Sequence, residues 1–113
     1  MTGPKVRVNS RATVAIAMVV NELLTNAAKY GALSRPEGRV RLEWSMTDGT
    51  PPALRIQWEE KGGPLVHPPT RRGFGSNLIE HSITRELGGT FDKEFAPTGL
   101  ICTIVLPLDR VRE

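Results

Sequence analysis

Three groups of residues in this chain have the types and spacing to do chemistry. Glu22, Asn26 and Lys29 stand at i, i+4 and i+7, with Tyr30 beside them, and on a helix that spacing makes one polar stripe. A carboxylate can act as a general base, an amide oxygen can ligate Mg²⁺, and a lysine can neutralise phosphate. The same stripe also describes an ordinary solvated face with a Glu–Lys interaction. The second group is Trp58-Glu59-Glu60-Lys61-Gly62-Gly63-Pro64. Its paired glycines let backbone approach a flat ligand, and a carboxylate there can accept a hydrogen bond from an exocyclic amine. A strand that simply ends in a turn has the same composition. The third is Arg71-Arg72-Gly73-Phe74-Gly75-Ser76-Asn77. Glycines before a helix expose N–H groups at its positive end, a site for phosphate, and arginines add charge-assisted contacts. A lone Gly-x-Gly also marks plain turns.

These groups need elements to hold them. Lys5 to Val8 alternates basic and β-branched residues, a short strand. Asn9 or Ser10 can cap a helix that runs without Gly or Pro from Arg11 to about Tyr30. Val14, Ala17, Leu24, Ala27 and Ala28 recur there at helical spacing, and Gly31 can close the helix in the left-handed conformation. Arg39 to Met46 alternates, with Val40, Leu42, Trp44 and Met46 on one side. Asp48-Gly49 is a turn signal, and Leu54, Ile56 and Trp58 make a second strand, giving a hairpin. The stretch from Lys61 to Gly73 is a Pro- and Gly-rich loop. A helix is expected from about Ser76 to Leu87, closed by Gly88-Gly89. Two closing strands, Thr90 to Phe95 and Leu100 to Leu106, are joined through Pro97, Thr98 and Gly99. The order β-α-β-β-loop-α-β-β predicts an α+β two-layer sandwich, with helices on one face of a mainly antiparallel mixed sheet.

Composition narrows the classes. The 113 residues suffice for one core, and at 39% hydrophobic and 24% charged the chain reads as globular. One cysteine, Cys102, excludes an internal disulfide and a cysteine-cluster metal site and suits a reducing, cytoplasmic setting. No apolar run approaches the roughly 20 residues that cross a bilayer. The apolar stretch Ala12 to Val20 lacks a basic leader and a cleavage site, so neither a signal peptide nor membrane insertion is expected. The net charge of +3 allows an anionic partner but does not suggest nucleic acid.

The order of the three groups is more specific than any one of them. Glu-x-x-x-Asn on a helix, carboxylate-x-Gly-Gly after a strand, then Gly-Phe-Gly opening a helix resembles the GHKL ATPase superfamily. In detail the wording resembles the HWE-type histidine kinases. Asn21-Glu-Leu-Leu-Thr-Asn-Ala-Ala-Lys-Tyr-Gly-Ala-Leu-Ser34 is similar to their N-box, Trp58 to Pro64 to their Trp-x-Glu box, and Gly73-Phe-Gly-Ser-Asn-Leu-Ile-Glu80 to their second glycine box. The closing strand, Gly99 through Pro107, is similar too, so the resemblance runs from about Gly3 to Leu108. One position departs: the family's histidine before the N-box glutamate is here Asn21. Asparagine hydrogen-bonds but does not titrate near neutral pH, which bears on proton handling more than on nucleotide binding. His67, in the Pro-rich loop, and His81, in the second helix, do not stand in a phosphoacceptor pattern.

The resemblance implies a Bergerat-type fold and a single catalytic domain over 1–113 that binds ATP and Mg²⁺. It implies that Glu60 reads the adenine amino group, where most relatives have aspartate, and that Gly62 and Gly63 line the base pocket. Asn26 holds Mg²⁺, and Glu22 is the base that orients or deprotonates the attacking histidine. Lys29 and Tyr30 contact phosphate or ribose. A short lid spans about 64–72, with Arg72 at its end and Gly73, Phe74 and Gly75 cradling phosphate, and Thr103 faces the adenine from the last strand. The implied reaction is transfer of the γ-phosphoryl group to a histidine on a separate phosphoacceptor and dimerisation domain, in the same parent chain or in trans, with a response regulator downstream. The phosphoacceptor domain is read as absent from this chain, which is then expected to be monomeric. An anti-sigma-type serine kinase and a GHKL binding module without catalysis are the competing readings.

Overall fold

The computed structural model describes residues 2–63, 80–96 and 99–113. Helix α1 (Ser10–Lys29) is started by Asn9, whose side-chain oxygen accepts a hydrogen bond from the Ala12 N–H at 2.8 Å, satisfying one of the orphan donors of the first turn. The helix ends on Tyr30 and runs into a 3₁₀ turn, Ala32–Ser34. Gly31 has φ −109°, so it does not close the helix in the left-handed conformation as expected. Its lack of a side chain serves a close approach described below.

Strands β1 (Arg39–Thr47), β2 (Ala53–Lys61), β3 (Thr90–Ala96) and β4 (Gly99–Pro107) form one sheet in the order β1-β2-β4-β3, every pairing antiparallel. β1 and β2 are the expected hairpin. The expected parallel component is confined, among the described residues, to one bridge between Thr2 and Glu43. The strand expected at Lys5 to Val8 does not form: Val8 makes a single bridge to Arg112, because no neighbouring strand offers that segment a ladder. Residues 76–79 of the expected second helix lie outside the described residues. Its remainder is a π-helical segment, Ser82–Glu86, that leads through Leu87 to Gly88 at φ +66°, a conformation that glycine adopts without a Cβ penalty. A last short helix, α2 (Leu108–Val111), follows β4.

The inner face of the sheet carries Leu42, Leu54, Ile56, Trp58, Cys102, Ile104 and Leu106. These pack with Ala12, Ala15, Val19, Leu23 and Ala27 of α1 and with Ile83, Leu87 and Val111 into one core. Of the α1 residues singled out by spacing, only Ala27 is buried, while Val14 and Leu24 are exposed. The helix is apolar around most of its circumference, so periodicity alone did not select the buried stripe. Met46 is exposed too, past the end of the core. Two layers result, with α1 over one face of the sheet and the charged residues Arg41, Glu43 and Arg55 exposed on the other.

Candidate functional site

β2 continues three residues past Trp58, to Lys61, and strand alternation decides the fate of the two glutamates. Glu59 points to the outer face, where it pairs with Lys61 at 3.0 Å. Glu60 shares the inner face with Trp58 and is only 4% exposed. Its Oε1 accepts from the Ala32 backbone N–H at 2.9 Å, and its Oε2 accepts from the Trp58 indole N–H at 2.9 Å. Gly31 is required by this contact, because a Cβ there would strike Glu60 Oε1. Gly62 has φ +76°, and a Cβ on it would meet the Glu37 carbonyl at 2.7 Å. The strand end and the segment after α1 therefore touch backbone to backbone.

The same contact brings the stripe of α1 to this end of the sheet. Ala32, bonded to Glu60, lies two residues beyond Tyr30. Glu22 and Asn26 are half-buried, while Lys29 and Tyr30 are exposed, Tyr30 at 74%. Among the described residues, the side chains of Glu22 and Asn26 make no hydrogen bond or ion pair, so their polar ends remain available. Asn21 is exposed, and its carbonyl accepts from the Thr25 hydroxyl at 2.8 Å. His81 is exposed.

Thr103 is a correction. In the β2–β4 register Thr103 lies opposite Gln57, and Cys102 lies opposite the inward-facing Trp58. Thr103 therefore sits on the outer face, away from Glu60, since neighbouring residues of a strand face opposite ways. Cys102 is buried in its place, and burial pushes its thiol up to about 12; Asp92, Glu60 and Glu80 add to the rise and Lys93 opposes it. Lid residues 64–72, His67, and Arg72, Gly73, Phe74 and Gly75 lie outside the described residues. Among the described residues no group of three or more His, Cys, Asp or Glu could hold a metal ion, and no helix is long and apolar enough to cross a membrane.

The motifs had marked Glu22, Asn26 and Glu60; what they had not assigned is a role for Trp58, Gly31 or Ala32. For Trp58 the signal was present, since residues two apart on a strand share a face. For Gly31 and Ala32 it was not, because their contact with Glu60 joins segments 28 residues apart.

Comparison with known proteins fits this geometry. No protein-family model matches the chain. It is 41% identical over 108 residues to the blue-light-activated histidine kinase of Brucella anthropi, and 40% identical over 109 residues to that of Brucella ovis. These alignments take in 95% and 96% of this chain but only 22% of either relative, so the chain spans about a fifth of their length. Among solved structures, the histidine kinase domain of the Erythrobacter litoralis EL346 blue-light-activated histidine kinase superposes with a TM-score of 0.74 at 24% identity, over 96% of this chain and 50% of that one. The catalytic domain of histidine kinase ThkA, in a nucleotide-free form, gives 0.63 at 18% identity, over 83% of this chain and 66% of that one. The two-layer α/β fold expected from the sequence is thereby borne out: the chain shares the fold of these histidine-kinase catalytic domains, and its sequence is similar over nearly its whole length to a segment of the blue-light-activated histidine kinases.

Proposed function

We propose that this domain binds Mg²⁺-ATP and transfers the γ-phosphoryl group to a histidine carried on a separate phosphoacceptor and dimerisation domain, feeding a response regulator. The observation that carries this reading is the convergence at one end of the sheet. A buried carboxylate, Glu60, stands one residue before the end of β2, and the half-buried Glu22 and Asn26 stand on α1, their side chains making no hydrogen bond or ion pair among the described residues.

The residues present fit the nucleotide. Glu60 uses one acceptor position on each oxygen internally, which leaves one on each for the amino group of adenine. Gly62 and Gly63 bring backbone, not side chains, to that edge. Asn26 offers one neutral oxygen to Mg²⁺, and this suits a cation that keeps most of its shell in water and phosphate oxygens. Lys29 and Tyr30, exposed on the last turn of α1, reach toward phosphate or ribose. Arg72, Gly73, Phe74 and Gly75 keep the phosphate-cradling role that the motif implies. The nucleotide supplies the phosphoryl group. The chain supplies position and charge neutralisation, which dominate catalysis of phosphoryl transfer.

Glu22 lies one helical turn before Asn26 and is the group that orients or takes the proton of the attacking imidazole. Asn21, in place of the family histidine, hydrogen-bonds without titrating, so in this chain proton handling falls to Glu22. The test is phosphorylation of a supplied acceptor domain. Acid-labile phosphohistidine supports the proposal. Acid-stable phosphoserine on the acceptor would point to the serine-kinase reading, and nucleotide binding without transfer to a binding module.

A further inference from the structure

Glu60 is carried almost out of solvent without a counter-charge. Among the described residues its side-chain partners are two neutral N–H donors, the Ala32 amide and the Trp58 indole, each at 2.9 Å, and it joins no ion pair. Burying a carboxylate is costly unless its oxygens are bonded, and the rest of the inner face of β2 (Leu54, Ile56 and Trp58) is buried without a charge. An arginine or lysine beside Glu60 would consume its remaining acceptor positions. Two single donors, one on each oxygen, fix the plane of the carboxylate and leave a lone-pair direction open on both.

Trp58 is built for this task. It is 2% exposed, and its ring fills the core between α1 and the sheet while its N–H runs along the strand to the next inward side chain. The other tryptophan, Trp44, instead donates to the Pro4 carbonyl at 2.7 Å. On the far side of Glu60, Gly31 has no Cβ to displace Oε1 from the Ala32 N–H.

We propose that the Trp58 indole N–H and the Ala32 backbone N–H form a clamp that orients the Glu60 carboxylate, making Trp58 a positioning residue for recognition of a purine 6-amino group. The inference rests on the nucleotide-binding reading above. A carboxylate held with its free lone pairs outward accepts from a 6-amino group and repels a 6-oxo group. Loosening the clamp therefore weakens discrimination between the two more than it weakens binding in general.

The experiment compares the dissociation constants of Mg-ATP and Mg-ITP, which differ at that purine position. Four proteins are measured: wild type, Trp58→Phe, a variant with benzothienylalanine at position 58, and Gly31→Ala. Benzothienylalanine keeps the size of the indole and lacks its N–H, so it tests the bond if Trp58→Phe fails to fold. The preference for ATP over ITP is expected to fall about tenfold in each variant, the scale of one hydrogen bond to a charged group. An unchanged preference in the benzothienylalanine variant, or an equal loss of ATP and ITP affinity, would overturn the clamp. A folded wild type that binds neither nucleotide would instead overturn the reading on which the clamp rests, and the clamp with it.

Discussion

Cys102 lies across from Trp58 on β4, and burial pushes its thiol up to about 12. A thiol whose pKa is raised on folding binds its proton more tightly in the folded state. Its contribution to stability is thus complete below the unfolded value of 9.0 and is lost as pH rises toward about 12. Urea unfolding between pH 9 and 12 should show a loss of stability, up to about 4 kcal/mol for a shift of this size, that is largely absent in Cys102→Ala. At the site itself, Asn26→Ala and Asn26→Asp are expected to weaken Mg-ATP binding; unchanged affinity by calorimetry would remove Asn26 from the metal. Glu22→Gln should retain binding while slowing transfer to an acceptor domain, and equal transfer rates would take Glu22 out of the mechanism. These positions were legible because each keeps its motif spacing along a helix or strand. Thr103 was misplaced because alternation gives two faces without saying which is inner, and only the register with β2 decides that.

α1 depends on Asn9 at its start. The side chain of Asn9 accepts from the Ala12 N–H and also donates to the Arg110 carbonyl at 3.1 Å, so one residue caps the helix and ties it to the C-terminal turn. Asn9→Ala should cost about 1–2 kcal/mol in equilibrium unfolding, the scale of a lost N-cap with a further bond; a change within error would assign the capping to solvent. The sequence announced α1 and the four strands nearly to the residue, because capping side chains, turn residues and alternation are local properties. It misjudged what depends on partners. Lys5 to Val8 has strand composition but forms, among the described residues, a single β-bridge, from Val8 to Arg112, and Gly31 answers to Glu60 across space and not to the helix end beside it.

The described residues form a sheet with one helical layer, and the candidate site lies where the end of β2 meets the end of α1. That meeting joins two of the three motifs through one carboxylate, which explains why their order along the chain was more informative than any one of them. The third motif falls largely among residues 64–79, outside the described part. The chain spans about a fifth of the blue-light-activated histidine kinases to which it is similar. The most direct measurement is calorimetric titration of the folded chain with ATP in the presence and absence of Mg²⁺. The account predicts saturable binding of one nucleotide per chain, strengthened by Mg²⁺ and weakened in Asn26→Ala. Absence of binding to a chain shown to be folded would contradict it.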